Sequence, residues 1–166
     1  MQISPELTAQ IDEAISHYPV SKRSAALPLL HLFQEAFGYI SEETILWIAA
    51  KLELQPIHIL ELVTFYPMFR RNPPGKNHIR VCKTLSCALA GAEALKANLC
   101  KATGIACDGH GGCHGDPVSV SPDGQYSIES VECLASCGSG PVMMVNDDFY
   151  EAVTDDEIPQ ILSKYK

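Results

Sequence analysis

Apolar residues in the first part of the chain recur every three or four positions, which is the spacing of one face of an α-helix. The first such stripe runs through residues 7–18 and follows Ser4 and Pro5. These two residue types suit the capping position and the first turn of a helix. The pattern stops at Pro19, so we expect one short helix between these points.

The same spacing predicts three further helices. The second lies within Ser24–Phe37, tolerates Pro28 only in its first turn, and closes at Gly38. The third is capped by Ser41 and the fourth opens at Pro56. Because none of them is long enough to be stable alone, we expect all four to pack as a small bundle.

Beyond residue 77 the spacing changes to short apolar runs and alternating positions, typical of strands separated by helices. Pro122, Asp123 and Gly124 form a hairpin signal between two of these strands. The pattern favours a small α/β or α+β unit. The expected strands are His78–Cys82, Val118–Val120, Tyr126–Val131, Pro141–Asn146 and Phe149–Ala152, and the expected helices run from Cys87 to about Lys101 and over Asp155–Tyr165.

The segment between the two patterns, residues 70–77, consists of proline, charged and turn-forming residues, which marks a connection between domains. We therefore expect a helical bundle over residues 1–72 and a second domain over residues 77–166. The basic side chains of the segment, together with Arg80, could face an acidic partner or simply line a solvated linker.

Composition and charge exclude several classes of protein. Hydrophobic residues make up 46% and charged residues 19% of the 166 residues, as in an ordinary globular protein. Twenty acidic against twelve basic residues give a net charge of −8, which would repel a phosphate backbone, so nucleic acid is not an expected partner. Residues 1–20 carry Glu6, Asp12 and Glu13 and contain no apolar run. We therefore expect no signal peptide and no direct membrane insertion, and we expect a cytoplasmic location.

The cysteines are the residues that indicate a chemical function. All seven lie beyond residue 80, and in the cytosol they point to metal ligation or redox chemistry rather than to a disulfide scaffold. Cys82 and Cys87 form a C-x4-C pair where a predicted strand turns into a helix. Cys133 and Cys137 form a C-x3-C pair in a glycine-containing turn.

Two pairs of thiolates suit an iron–sulfur cluster, since four cysteines hold [2Fe–2S] or [4Fe–4S] and each pair can bind one iron of the smaller cluster. Zinc is an alternative, because four thiolates at similar spacing also form structural zinc sites. In that case the chain would be a zinc-stabilised binding module. Small residues favour a cluster, since they let backbone amides approach the sulfurs, and the start of a helix at Cys87 adds positive dipole there. These small residues are Ala88, Gly91, Ala135, Gly138 and Gly140.

Other interpretations of these residues stay open. Cys82 and Cys133 could be buried core residues, as Cys100 is expected to be. The run from Cys107 to His114 could hold a second metal or form an exposed glycine-rich loop. A catalytic pair of a cysteine with a nearby histidine such as His78 would need a positioned base, and no C-x-x-C dithiol is present.

The chain resembles, over nearly its whole length, the small [2Fe–2S] subunit of respiratory complex I, which is the E subunit of bacterial NADH-quinone oxidoreductase. The resemblance departs between residues 107 and 117, where the family usually has a short turn. The segments that carry it are Tyr18-Pro19, Lys22-Arg23-Ser24-Ala25, Pro28-Leu29-Leu30, Gln34-Glu35, Gly38-Tyr39-Ile40, Val63-Thr64-Phe65-Tyr66 with Phe69, Pro74-Gly75-Lys76, Glu132-Cys133-Leu134 and Val145-Asn146-Asp147-Asp148.

This resemblance implies an α+β protein in which a helical bundle precedes a thioredoxin-like ferredoxin domain. It implies that one [2Fe–2S] cluster is held by Cys82, Cys87, Cys133 and Cys137, and that single electrons pass to and from FMN. NADH, FMN and a further iron–sulfur cluster are expected on a larger flavoprotein partner within complex I, and no dinucleotide fingerprint is found in this chain. The equivalent diaphorase subunit of an NAD-linked hydrogenase or formate dehydrogenase is the alternative.

Overall fold

The computed structural model describes residues 2–106 and 118–165. It divides into two compact units, Met1–Pro73 and Pro74–Lys166, which are treated separately below. The run from Cys107 to His114, for which a second metal site or an exposed loop was considered, lies outside the described residues.

The first unit is helical. Its helices are α1 (Pro5–Ser16), α2 (Ala26–Phe37), α3 (Glu42–Leu52) and α4 (Pro56–Phe65), with a 3₁₀ turn at Lys22–Ala25 before α2. The four predicted helices are therefore confirmed, and Pro28 falls in the first turn of α2, where its missing amide costs no hydrogen bond.

Capping residues explain where these helices start and stop. Ser4 Oγ accepts a hydrogen bond from the Leu7 amide at 3.1 Å, and Ser41 Oγ accepts one from the Thr44 amide at the same distance. Gly38 ends α2 with a φ of 82°, a left-handed conformation that glycine adopts without a steric penalty.

The apolar stripes of these helices meet in one core. Phe33 is fully buried there and packs against Trp47, with ring centroids 5.1 Å apart. Burying one large apolar side chain contributes about 1.5–3 kcal/mol, so the core, rather than helix propensity, stabilises the short helices. The other fully buried large side chains of this unit are Ile11, Leu29, Leu30, Ile40, Ile48 and Ile59.

The second unit contains a five-stranded sheet in the order β2-β3-β1-β4-β5 among the residues described. The central strands β1 and β3 are parallel, and the edge pairs are antiparallel hairpins. The strands are β1 (Asn77–Cys82), β2 (Val118–Val120), β3 (Tyr126–Val131), β4 (Met143–Val145) and β5 (Asp148–Tyr150), and the helices are α5 (Leu85–Leu89), α6 (Ala92–Thr103) and α7 (Ile158–Ser163).

One element was predicted wrongly. A single helix from Cys87 to about Lys101 was expected, but the structure has two, because α5 begins earlier, at Leu85, and the chain breaks before α6. The break lies at Gly91, whose φ of 101° belongs to the left-handed region and cannot continue a right-handed helix. Cys87 is therefore in the middle of α5 rather than at the start of a long helix.

Alternation along β1 separates two environments. Ile79 and Val81 lie in the apolar core with Leu95 and Leu99 of α6. His78, one residue before Ile79 and on the opposite face of the strand, is buried among polar side chains and pairs in register with Ser127 of β3. The strand thus runs from a polar, buried contact at its start to Cys82 at its end.

The connection between the units is anchored at both ends. The Ile40 amide donates to the Arg70 carbonyl at 2.7 Å, and the Arg70 amide donates to Gln34 Oε1 at 2.8 Å. On the other side, the Arg80 guanidinium donates to the Asn146 carbonyl. The Arg80 contact occupies one of the basic side chains that were considered for an acidic partner or a solvated linker, whereas Arg70 is held here by its backbone.

Among the described residues, no helix is both long enough and apolar enough to cross a membrane.

Candidate metal centre

The first cysteine pair lies where β1 ends and α5 begins. Cys82 is the last residue of β1 and is 2% exposed, and Cys87 lies within α5 and is 1% exposed. The Cys82 amide donates to the Val142 carbonyl at 3.1 Å, which fixes the strand end against the chain that leads into β4. Both thiols are free.

The second pair lies in the loop between β3 and β4. Cys133 and Cys137 are exposed and free, and Cys137 starts a 3₁₀ turn that ends at Ser139. The Ala135 amide donates to Cys133 Sγ at 3.2 Å. Ala135 has a φ of 61°, a left-handed backbone conformation that residues other than glycine rarely adopt. The loop is therefore bent back toward Cys133.

Hydrogen bonds connect the two pairs. Cys82 Sγ lies 3.8 Å from the Glu132 carbonyl, and the Leu134 amide donates to the same sulfur. The residues on either side of Cys133 therefore contact Cys82. The fold brings together loops that are about 50 residues apart in the chain, as β1 and β3 end side by side in a parallel pair.

Two opposing influences act on the Cys82 thiol. Burial is the largest and raises its pKa, but the hydroxyl and the amide of Thr84 and the Leu134 amide donate hydrogen bonds that favour the thiolate. The Cys87 thiol also donates to Cys82, and the pKa of Cys82 ends below its usual value. This environment is suited to a deprotonated sulfur.

Cys87 has the opposite balance. Burial raises the pKa of Cys87 above its usual value, the hydrogen bond to Cys82 raises it further, and the charges of Cys82 and Cys137 act in the same direction. The Val142 amide opposes these effects by donating to the sulfur. The negative charges of Cys82 and Cys137 thus disfavour the thiolate form of Cys87.

Glycine lets the chain approach the Cys87 sulfur. A Cβ atom placed on Gly140 would lie 3.2 Å from Ala90 Cβ, which is a tight contact, and 3.5 Å from Cys87 Sγ, which is an ordinary van der Waals distance. A Cβ on Gly91 or Gly138 would meet nothing within 4 Å.

A carboxylate fixes the loop around Cys137. The hydroxyls of Ser136 and Ser139 both donate to Glu151, and these bonds lower the pKa of that carboxyl. The Ala152 amide donates to the Ser139 carbonyl at 2.7 Å. The segment after β5 therefore holds the 3₁₀ turn in place and adds a negative charge beside the cysteines.

His78, considered for a catalytic pair with a cysteine, has other contacts. Its Nδ1 atom lies 2.8 Å from Ser127 Oγ, and its Nε2 atom lies 2.9 Å from Glu129 Oε2. Ser127 is fully buried, so a substrate has no access to its hydroxyl. These bonds are structural.

The donor set fits a [2Fe–2S] cluster. Within residues 2–106 and 118–165, no three His, Cys, Asp or Glu side chains are arranged so that they could hold one metal ion. A two-iron cluster requires two thiolates on each iron, which is the number that each cysteine pair supplies. Amides of Thr84, Leu134, Ala135 and Val142 approach the sulfurs and would offset the negative charge of such a group.

Sequence reasoning missed Thr84 and Glu151. Thr84 stands two residues after Cys82, and this proximity was the available signal. Glu151 is 14 residues beyond Cys137, so only the folded chain brings it to the site. Cys100, expected in the core, is 4% exposed on α6 and is disulfide-bonded, which was not foreseen.

Residues 11–166 match a sequence model of the thioredoxin-like [2Fe–2S] ferredoxins. The chain is 38% identical over 160 residues to the E subunit of NADH-quinone oxidoreductase from Aquifex aeolicus, covering 96% of this chain and 93% of that protein. It is 38% identical over 155 residues to the second subunit of NADH-quinone oxidoreductase from Thermus thermophilus, covering 92% and 80% respectively.

A solved structure with a similar fold is the NAD⁺-reducing [NiFe]-hydrogenase in its H₂-reduced state, with a TM-score of 0.66 and 20% identity. The match covers 84% of this chain and 22% of the hydrogenase chain. The air-oxidised form of that type of enzyme matches with a TM-score of 0.60 and 18% identity, over 97% of this chain and 23% of that one. This chain therefore corresponds to less than a quarter of the hydrogenase chains, and the likeness concerns the fold.

Proposed function

The chain belongs to the thioredoxin-like [2Fe–2S] ferredoxin family, and from that premise we propose that it is the electron-transfer subunit of the NADH dehydrogenase module of an NADH-quinone oxidoreductase. In this role it holds one [2Fe–2S] cluster through Cys82, Cys87, Cys133 and Cys137. A cluster of this kind supplies one-electron transfer when bound.

One observation carries the proposal. Four free cysteines lie in two adjoining segments of the ferredoxin domain, one where β1 leads into α5 and one in the loop after β3, and the residues flanking Cys133 contact the sulfur of Cys82. Cys82 and Cys87 are buried while Cys133 and Cys137 are exposed, so the site reaches from the interior of the domain to its surface. A redox group held there is insulated on one side and accessible to a partner on the other.

We infer the partner from the resemblance seen in the sequence. A subunit of NADH-quinone oxidoreductase works within a larger assembly, and the resemblance in the sequence assigns NADH, FMN and a further iron–sulfur cluster to a larger flavoprotein. In this chain's case the exposed cysteines would face that flavoprotein and exchange single electrons with its FMN. The assembly would place the chain on the cytoplasmic side of the membrane, as a peripheral component of complex I.

The relatives favour this assembly over a hydrogenase. Proteins named for NADH-quinone oxidoreductase match at 38% identity, whereas the hydrogenase chains match at 20% and 18% identity and share the fold. A diaphorase subunit of an NAD-linked hydrogenase or formate dehydrogenase therefore stays the second candidate.

The test uses the full chain purified without oxygen, alone and together with its flavoprotein partner. We expect about two irons per chain, a reddish-brown colour, and a paramagnetic resonance signal that appears on reduction with dithionite, and with NADH only when the partner is present. Cys133→Ser should abolish the signal. Ser86→Ala, an exposed position between Cys82 and Cys87, is the matched control and should keep it.

A colourless protein with about one zinc per chain would instead make the cysteines a structural zinc site and overturn the proposal. A reducible cluster that copurifies with hydrogenase subunits, and not with quinone-reducing ones, would support the second candidate.

A further inference from the structure

Thr84 caps α5 in an unusual way. It occupies the capping position, with the extended φ and ψ of −68° and 164° that capping residues adopt, yet its side chain makes no capping hydrogen bond. Ser4 and Ser41, at the same position of α1 and α3, each accept a hydrogen bond from an amide of the first turn at 3.1 Å. The Thr84 hydroxyl is therefore committed elsewhere.

It points to the sulfur of a proposed cluster ligand. Thr84 Oγ1 lies 3.2 Å from Cys82 Sγ, and the Thr84 amide also donates to that sulfur. One residue thus provides two hydrogen-bond donors to one ligand. Its side chain is half-buried, which limits competition from water for these bonds.

The direction of the side-chain bond follows from the chemistry of a ligand. A cysteine bound to iron has lost its proton, so its sulfur can only accept, and the Thr84 hydroxyl must donate. Adding an electron to an iron–sulfur cluster increases the negative charge on the sulfurs. A donated hydrogen bond is then stronger in the reduced state than in the oxidised one, and it favours reduction.

Neighbouring hydroxyls are arranged differently. Ser136 and Ser139, which flank Cys137, both donate to the carboxylate of Glu151. These two hydroxyls therefore donate to a carboxylate of the protein and not to a cysteine sulfur. The contrast gives the Thr84 hydroxyl a role of its own at the site.

We propose that Thr84 is a positioning residue that raises the reduction potential of the site by donating its hydroxyl to the Cys82 sulfur. This inference rests on the proposed function, because it requires a cluster on Cys82. It goes beyond that function by naming a side chain that is not a ligand and yet raises the reduction potential of the site.

The experiment is a redox titration of the full chain, carrying its cluster and followed by paramagnetic resonance, for the wild type and three variants. Thr84→Val keeps the shape and removes the donor, and Thr84→Ser keeps the donor. Thr103→Val removes a hydroxyl of the same unit that donates to the Leu99 carbonyl at 2.8 Å. Iron is determined in every sample.

In Thr84→Val we expect the ratio of reduced to oxidised cluster at a fixed potential to fall roughly tenfold, which is about 59 mV for one electron. Thr84→Ser and Thr103→Val should both stay within roughly twofold of the wild type, because each keeps the donor at position 84. A merely structural role of Thr84 would not produce this split between valine and serine.

An unchanged potential in Thr84→Val with a full iron content would overturn the inference. If Thr84→Val loses its iron, Thr84→Ala is titrated in its place, and loss of iron from both would make the hydroxyl a requirement for assembly and reject its role in the potential. A wild-type chain without a reducible cluster would instead refute the proposed function, so the two failures are distinct.

Discussion

The Nε2 atom of His78 lies 2.9 Å from Glu129 Oε2, and the two side chains are only 6% and 9% exposed. They belong to neighbouring parallel strands, with His78 in register with Ser127, two residues before Glu129. The imidazole therefore spans from Ser127 to Glu129 across the middle of the sheet. Its buried nitrogens are satisfied by these two contacts.

Glu129→Ala should destabilise the protein strongly. Removing one partner of a buried pair leaves the other without its hydrogen bond in a poorly solvated place, which costs about 1–3 kcal/mol. Glu129→Gln should cost less, because its amide oxygen can still accept. The free energy of unfolding in urea, followed by circular dichroism, measures both effects.

Glu132→Ala is the control for that prediction. Its side chain is 73% exposed and pairs with Lys83 at 2.7 Å, and exposed pairs of this kind contribute about 0–1 kcal/mol. Equal losses in Glu129→Ala and Glu132→Ala would show that the buried contact has no special weight.

Gly140→Ala should weaken cluster binding by crowding Ala90 and the backbone of Cys87. The backbone of Gly140, with φ of −68° and ψ of 157°, suits alanine, so the effect comes from space alone. The new methyl group would lie 3.2 Å from Ala90 Cβ and 3.4 Å from Cys87 Cα, and overpacking of this kind costs about 1–3 kcal/mol. Iron content per chain after reconstitution, and the visible absorption of the cluster, measure the loss.

Gly138→Ala separates this effect from a general intolerance of the loop. A Cβ at Gly138 would meet nothing within 4 Å, so that variant should retain its iron. If both variants kept the same iron content, the close approach at Gly140 would not matter for the site.

The sequence predicted the helical unit well because its signals are local. Ser4, Gly38 and Ser41 act through bonds and backbone angles within a few residues, and the structure has the caps where these residues stand. The order of strands and helices in the second unit was also predicted, apart from the break at Gly91. A glycine in an alanine-rich stretch gives no sign of its φ, so the two helices were taken as one.

The environment of the cysteines could not be predicted in the same way. The C-x4-C and C-x3-C spacings indicate paired ligands, and the choice of these four as cluster ligands stays a prediction. The contact of Cys82 with the residues around Cys133, and that of Glu151 with Ser136 and Ser139, depend on the pairing of distant segments. Hydrophobic periodicity contains no information about such side-chain contacts.

Gly75→Ala should destabilise the second unit. A Cβ on this buried glycine would lie 2.5 Å from the Tyr126 carbonyl carbon and 2.8 Å from the Ser127 amide nitrogen, and backbone atoms of a central strand cannot move aside. We expect a loss of about 1–3 kcal/mol in the free energy of unfolding, by the usual cost of overpacking. Lys76→Ala, next to it and exposed, should change stability little, and a stable Gly75→Ala variant would argue against this close packing.

Glu157 should make a small contribution to stability that depends on pH. The amide and the hydroxyl of Thr154 donate to its carboxylate at 2.9 and 2.8 Å before α7, and they lower the pKa of Glu157 from its usual 4.5. Since the folded pKa is below the unfolded one, the contribution is complete above pH 4.5 and is lost as the pH falls through the folded value. Glu157→Gln keeps a weaker acceptor without a charge, so its urea midpoint should lie below that of the wild type near neutral pH. The two midpoints should converge as the solution is acidified, and a gap that stayed constant down to about pH 3 would show that the carboxylate does not act through its charge.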